Sequence, residues 1–369
     1  MAGTPAPIRL TACGCETAFG DAGSTHAALL RGEIALRSVP VLGLGGGDPV
    51  PLALLRGRAL DEVEPPVWLE ALKRLSGSIP GEGWGFGRRP VFVTGSNFGV
   101  GGLYALRTSG DARFAPWGAP APCTEKLRRE LGWGPDVAIL SHACVSAHLG
   151  LLQATRAVES GLADEALVLS FDFLSPFVAG GFHALKILNL GFPAPFREAA
   201  AGAIGLGDGA GFAVLSASGG DWAIAGQSVF NEMHHFTANR SDGSGFARCL
   251  APVAAALRGR RVWYKGHGTG TLDAGRMEVA EACRAFPGAP IVGWKGSLGH
   301  TLGSCGLVEL AIAVEAWKRG RAPGTPGGPG EPMARDVATE GFGLGPFEGA
   351  VCASNAFGGA HAAFLLCHG

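Results

Sequence analysis

Charge is scarce in this chain. Only 17% of its 369 residues are Asp, Glu, Lys or Arg, and the formal net charge is −1, so nothing electrostatic argues for nucleic acid or a membrane surface as a partner. Apolar runs of roughly 18 residues, the length of a membrane span, are missing too. Asp172, His183 and Lys186 interrupt the most apolar region, around 167 to 190. The opening MAGTPAPIRLTAC has neither the basic n-region nor the apolar h-region of a secretory signal, and a cytoplasmic protein is expected. Cys13 and Cys15 have no second Cys/His pair at zinc-ligand spacing, so no metal is expected. The nine cysteines, scattered through an apolar chain, fit reduced thiols better than a disulfide framework.

Apolar residues, in contrast, make up 47% of the chain and glycine alone supplies 61 positions. Such a composition belongs to a core-rich globular protein, and the length suggests two packed halves or one large α/β unit. Short Val/Ile/Leu runs at 90–95, 136–140, 166–171, 211–215, 262–264, 290–293 and 350–353 read as strands. Helical periodicity covers 22–32, 124–131, 144–161, 275–285 and 304–319. The alternation predicts an α/β layered fold. Glycine clusters at 43–47 and 205–211 mark tight turns or close backbone approach. The breaker-rich APGTPGGPGEP at 322–332 reads as a surface loop. SASGGD at 216–221 divides the chain into parts 1–216 and 217–369.

One cysteine sits where chemistry is plausible. SHACVSAHLG, 141–150, places Cys144 between the apolar run 137–140 and a helix-period stretch. A cysteine at a helix N-terminus faces unpaired N–H groups and the positive dipole end, which can bring its pKa from about 8.5 into the range of roughly 3.5 to 7.5. The sequence alone therefore predicts a thiolate at this position. Three further strand ends carry polar side chains among small residues: VWYKGHGTGT (262–271), IVGWKGSLGHTLGSCG (291–306) and CASNAFGGAHAAFLL (352–366). His267 and His300 lie in glycine-flanked loops, where exposure to a cleft is expected, and Lys295 precedes His300 by five residues. A cysteine with two such histidines makes a nucleophile-and-polariser set for acyl transfer.

Taken together and in order, these motifs resemble those of the β-ketoacyl-acyl-carrier-protein synthases, condensing enzymes of the thiolase superfamily. ACVSAHLGL resembles the nucleophile elbow, YKGHGTGT the first histidine motif, KGSLGHTLGSCGLVEL the lysine and second histidine motif, and FGGAHAAFLL the closing glycine-rich motif. RLTACGCETAFG, GSNFGVGGL and GLGDGAG are similar to further family segments, so the resemblance runs along nearly the whole chain.

The resemblance implies two duplicated α/β halves in a layered α-β-α-β-α arrangement with mixed sheets, the nucleophile in the first half and the histidines in the second. It implies Cys144 as acyl acceptor, His267 and His300 as the paired histidines, Lys295 as their support, and Glu309 as the glutamate of the following helix. Phe357 would join Cys144 in an oxyanion hole, and Thr269 and Thr271 would contact a phosphopantetheine arm. The implied reaction is decarboxylative condensation of an acyl-Cys intermediate with a malonyl-acyl-carrier protein, in fatty acid or polyketide-type synthesis. No bound cofactor is implied, because substrates ride on the carrier's phosphopantetheine.

The implied partners are acyl carrier protein and a second subunit, in a homodimer or a heterodimer with a related ketosynthase chain. Lys126, Arg128 and Arg129 are candidates for a basic patch facing the acidic carrier. Departures from the family pattern fall at Gly275, where an Asp is usual, at Asp208 in place of a glutamate, at the FREAAAGAIG segment, and at Asn355, where a gating Phe is common. Two other readings stand beside this one: a non-decarboxylative thiolase, and a chain-length-factor-like partner subunit.

Overall fold

The structure, a computed structural model, describes residues 7–41, 49–61, 66–188, 193–198, 204–235, 238–328 and 330–368. The glycine cluster at 43–47 and part of FREAAAGAIG lie outside these. Ten strands carry the architecture: β1 (Ile8–Thr17), β2 (Val91–Thr94), β3 (Val137–Leu140), β4 (Glu165–Asp172), β5 (Gly209–Ser216), β6 (Trp222–Asn231), β7 (Val262–Lys265), β8 (Ile291–Val292), β9 (Gly349–Ala356) and β10 (Ala360–His368). Every strand expected from sequence is present. β1, β6 and β10 are additional: glycine, alanine and polar residues dilute their β-branched signal, and packing on both sides makes them strands.

These strands run in the order β8-β7-β9-β10-β6-β1-β5-β4-β2-β3. Numbering each half from its own first strand gives 3-2-4-5-1 twice. In both halves the second strand is parallel to the third and fourth, while the fifth is antiparallel to the fourth and the first. The fold is therefore a topological duplication of the thiolase kind. The two copies meet where Ile8–Leu10 of β1 pairs antiparallel with Trp222–Ile224 of β6.

Five helices matter for the site: α1 (Pro66–Ser76), α2 (Ser146–Glu159), α3 (Ser244–Ala255), α4 (Leu272–Ala285) and α5 (Cys305–Lys318). α2 packs on β2, β4 and β5 of the first half and on β6 and β10 of the second, while α5 touches β1, β5 and β9. Both are thus central, between the sheets. α5 reads CGLVELAIAVEAWK and is buried around nearly its whole circumference, as a helix apolar on every face must be. α1 covers the outer side of β1 and β5, and α3 covers β6 and β10 and meets α4. The result is the α-β-α-β-α layering expected.

The breaker-rich segment 322–332 has a different place from the one expected. Its first part is interior: Ala322 and Thr325 are buried, Thr325 Oγ1 accepts the Gly293 N–H at 3.2 Å, and Pro323 O accepts the Trp294 Nε1–H at 3.2 Å. Prolines and glycines let it pass beneath the end of β8 without demanding ladder bonds.

Candidate functional site

Cys144 follows β3 and precedes α2 in a tight elbow. Ala143 takes a left-handed φ of 46°, a conformation a non-glycine residue holds only when its surroundings compel it. The compulsion is visible: Ser146 Oγ accepts the His142 N–H at 2.8 Å and donates to Ala143 O at 2.6 Å. Small residues let the elbow sink inward. A Cβ on Gly150 would meet Thr94 and Val168 at 2.6 and 2.7 Å, and one on Gly306 of α5 would meet His148 Nδ1 at 2.5 Å.

His267 follows β7 and His300 follows β8. The rings stand edge to face with centroids 4.8 Å apart. A ring nitrogen of each and the sulfur of Cys144 all lie within 4.8 Å of one another. Three groups between 33 and 156 residues apart in the chain thus converge on one point. Phe357 lies in the turn between β9 and β10, and its backbone N–H favours the ionised form of the Cys144 sulfur.

The chemical state differs from the sequence expectation. Burial pushes the Cys144 thiol up, the neighbouring Cys305 adds to this, and the pull of Lys295 and the Phe357 N–H does not reverse it. The resting group is a thiol rather than the ionised sulfur that a helix tip alone would favour, because losing water costs a thiolate more than a dipole returns. Both imidazoles are held neutral, first by burial and then by nearby positive charge. The Leu302 N–H donates to His300 Nδ1 at 3.2 Å. A neutral His300 therefore carries its proton on Nε2, which has no protein partner and can donate to a substrate. His267 Nδ1 is likewise without a partner.

The glycines flanking the histidines do not open a cleft there. His267 and His300 are buried, and the glycines make room for protein. A Cβ on Gly266 or Gly293 would strike the Phe196 ring at 2.6 or 2.9 Å, and one on Gly296 would meet Pro195 and Pro326 at 2.8 Å. The closeness of backbone near Lys295 thus serves side chains of the segment before β5 and, through Pro326, of the segment after α5.

Lys295 is buried and pairs with Glu309 Oε1 at 2.6 Å. Glu278 of α4 accepts the His267 N–H at 2.5 Å, the Gly268 N–H at 3.1 Å and the Tyr264 hydroxyl at 3.1 Å, so it holds the first histidine loop from behind. Thr269 and Thr271 touch through their hydroxyls at 3.2 Å. Asn355 is buried and faces His361, its Oδ1 2.6 Å from Nδ1, with Glu232 3.5 Å beyond Nε2. This chain staples the β9–β10 hairpin that carries Phe357. Gly275 lies against Met333.

Several contributors were not singled out from sequence. Lys265 is wholly buried and also pairs with Glu309. Cys305 Sγ donates to Cys144 O at 3.3 Å. Asp172, at the end of β4, accepts the N–H groups of Ser96, Asn97 and Gly303 at 2.6–3.1 Å and so ties the first half to the loop after His300. Arg58 is buried and answers Asp208, a departure already named from the sequence, at 2.8 Å. Lysines and aspartates are usually solvated, so only their place at strand ends hinted at them. Lys126, Arg128 and Arg129 pair with Glu125 and Glu130 on their own helix, which spends much of the charge a basic patch would need.

What this arrangement can do is bring a thiol, two neutral N–H donors and a backbone donor to one atom. Two buried ammonium groups nearby oppose a bound cation and favour developing negative charge.

Residues 223–328 match the family described as β-ketoacyl synthase, C-terminal domain. The chain is 27% identical to a polyketide β-ketoacyl synthase of Streptomyces halstedii over 63% of this chain and 64% of that protein. It is 27% identical to the chloroplastic 3-oxoacyl-[acyl-carrier-protein] synthase II of Arabidopsis thaliana, over 53% of this chain and 40% of that protein. These matches therefore span less than two thirds of either relative. Among solved structures, a β-ketoacyl synthase from Burkholderia phymatum superposes with a TM-score of 0.82 at 20% identity, covering 98% of this chain and 99% of that one. A chain of the ketosynthase ApeO complex with its chain length factor ApeC, from Xenorhabdus doucetiae, gives 0.80 at 20%, covering 100% of both. At that identity the structures establish the shared fold. No described helix is long and apolar enough to cross a membrane.

Proposed function

We propose that the chain is a β-ketoacyl synthase of the thiolase superfamily, to whose C-terminal domain residues 223–328 match, and that it catalyses decarboxylative condensation of an acyl group held on Cys144 with a malonyl thioester carried by acyl carrier protein. The observation that supports this most is the convergence of Cys144, His267 and His300 within 4.8 Å.

The acyl thioester is attacked by the Cys144 sulfur. Its proton passes to His267, whose ring has an unpartnered nitrogen, and then to the departing carrier thiol. The tetrahedral oxyanion is received by the N–H groups of Cys144 and Phe357. A malonyl thioester then binds with its carbonyl oxygen toward the two rings, and Thr269 and Thr271 meet its pantetheine arm. As the carboxylate leaves as CO2, its bonding pair becomes an enolate whose charge the His300 Nε2–H and the His267 N–H stabilise. The enolate carbon attacks the acyl carbonyl, a carbon-carbon bond forms, and the Cys144 sulfur leaves and takes up a proton from water. Lys295 and Glu309 support the rings without touching substrate.

The enzyme is proposed to act in the cytoplasm, as a homodimer or beside a related subunit. The ApeO–ApeC likeness raises the chain-length-factor reading, which needs no nucleophile. The intact trio favours the catalytic reading.

The test is intact-mass analysis after mixing the protein with acyl-loaded carrier, followed by malonyl-loaded carrier. The expected result is an acyl adduct on Cys144 that disappears with release of CO2 and a 3-ketoacyl carrier, all lost in Cys144→Ala. An adduct-free protein, a Cys144→Ala variant that still supports a catalytic partner, or cleavage of a 3-ketoacyl thioester by free coenzyme A would overturn it.

A further inference from the structure

Lys265 ends β7, two residues before His267, with its side chain fully buried. Its ammonium pairs with Glu309 Oε2 while Lys295 occupies Oε1. Lys295 and Glu309 alone would already form a complete pair, and a second buried ammonium carries a large desolvation cost. Something else must offset that cost. The charged and titratable groups facing the histidine pair are Lys265, Glu278 from α4, Lys295, Glu309 and Cys305 from α5, His148 from α2, and Cys144. Among these, two ammonium groups stand against two carboxylates.

We propose that Lys265 is a positioning residue for the histidine pair: it completes a balanced quartet with Lys295, Glu309 and Glu278, so that neither imidazole takes up a proton to compensate a buried carboxylate. Neutrality matters geometrically. His300 Nδ1 accepts the Leu302 N–H, and a proton on that nitrogen would set donor against donor and displace the loop. Burial is the first cause of the low proton affinity of His267 and His300, and the charges of Lys295 and Lys265 add to it. Burial raises Glu278, and the Gly268 and His267 N–H groups, followed by the same two ammonium groups, pull it back toward the carboxylate.

The catalytic consequence rests on the condensing reading, whereas the charge state of the rings does not. The experiment compares the full chain with Lys265→Gln, which keeps a donor for Glu309 without charge, and Lys265→Met, which keeps the length. Ring-proton NMR titration follows both histidines, with His267→Gln and His300→Gln spectra for assignment. Neither ring of the wild type should titrate near neutral pH. In both variants at least one apparent midpoint should rise by about one pH unit, and CO2 release from a malonyl thioester should show kcat about tenfold lower at unchanged KM. Because Lys295 still pairs with Glu309, both variants should fold. Unchanged ring titrations would overturn the proposal, and so would loss of fold in both variants, which would make Lys265 a structural cation only. If the wild type releases no CO2, the condensing reading falls while the titrations still decide the role of Lys265.

Discussion

At the scale of single residues, burial outweighs local electrostatics. Cys144 sits at the start of a helix, yet lost hydration dominates and leaves it a thiol. Iodoacetamide at neutral pH should therefore alkylate Cys144 more slowly than a free cysteine, by about tenfold, with the rate climbing as pH rises into the alkaline range. A labelling time course followed by intact mass checks this, and labelling faster than that of a free thiol would count against it. Cys144, His267, His300 and Lys295 stood out in the sequence because each lies in a short motif of small residues after an apolar run. Lys265 stood in the same quoted motif and went unremarked. Nothing in VWYKGHG says whether a lysine ends in water or against a buried glutamate 44 residues away.

At the scale of elements, the site depends on how closely α2 and α5 approach. Gly306 marks the contact, since a Cβ there would come within 2.5 Å of His148 Nδ1 and 3.1 Å of the Ala147 Cβ. The Gly306→Ala substitution should cost about 1–3 kcal/mol of stability and, by shifting the first turn of α2, lower the rate of Cys144 acylation more than it changes substrate KM. Urea unfolding with acylation kinetics checks both, and a variant as stable and as fast as wild type would show the helices have slack. Helix boundaries were legible to within a few residues because periodicity and capping are local. The antiparallel partners β6 and β10 were not, because their strand character comes from neighbours on either side rather than from β-branched composition.

At the scale of the whole molecule, interior histidines couple the site to folding. Burial lowers the proton affinity of His148 to about 3 and also depresses His26, His267, His300 and His361. In the unfolded chain such rings take up protons near pH 6.5. The unfolded state then binds more protons below that pH, so stability is lost on acidification. Asp172, pushed up to about 6 by burial, and Glu278, also raised, have the opposite sign: their contribution falls as pH rises from about 4 toward 6. Five rings against two carboxyls leave a net loss. The urea midpoint should drop from about pH 7 to about pH 5, and a flat profile between them would show that the rings are not buried neutral.

Amino-acid order by itself determined the alternation of strands and helices, the motifs at strand ends and hence the family resemblance, because each of these is written in residues close together in the chain. Tertiary structure alone decided that the second, third and fourth strands of both halves deliver their C-terminal ends to a single point, that the flanking glycines admit Phe196 and two prolines, and that two lysines share one glutamate. Those outcomes depend on distances across the interior and on the removal of water from charged groups, and neither quantity exists until the two halves have closed on each other.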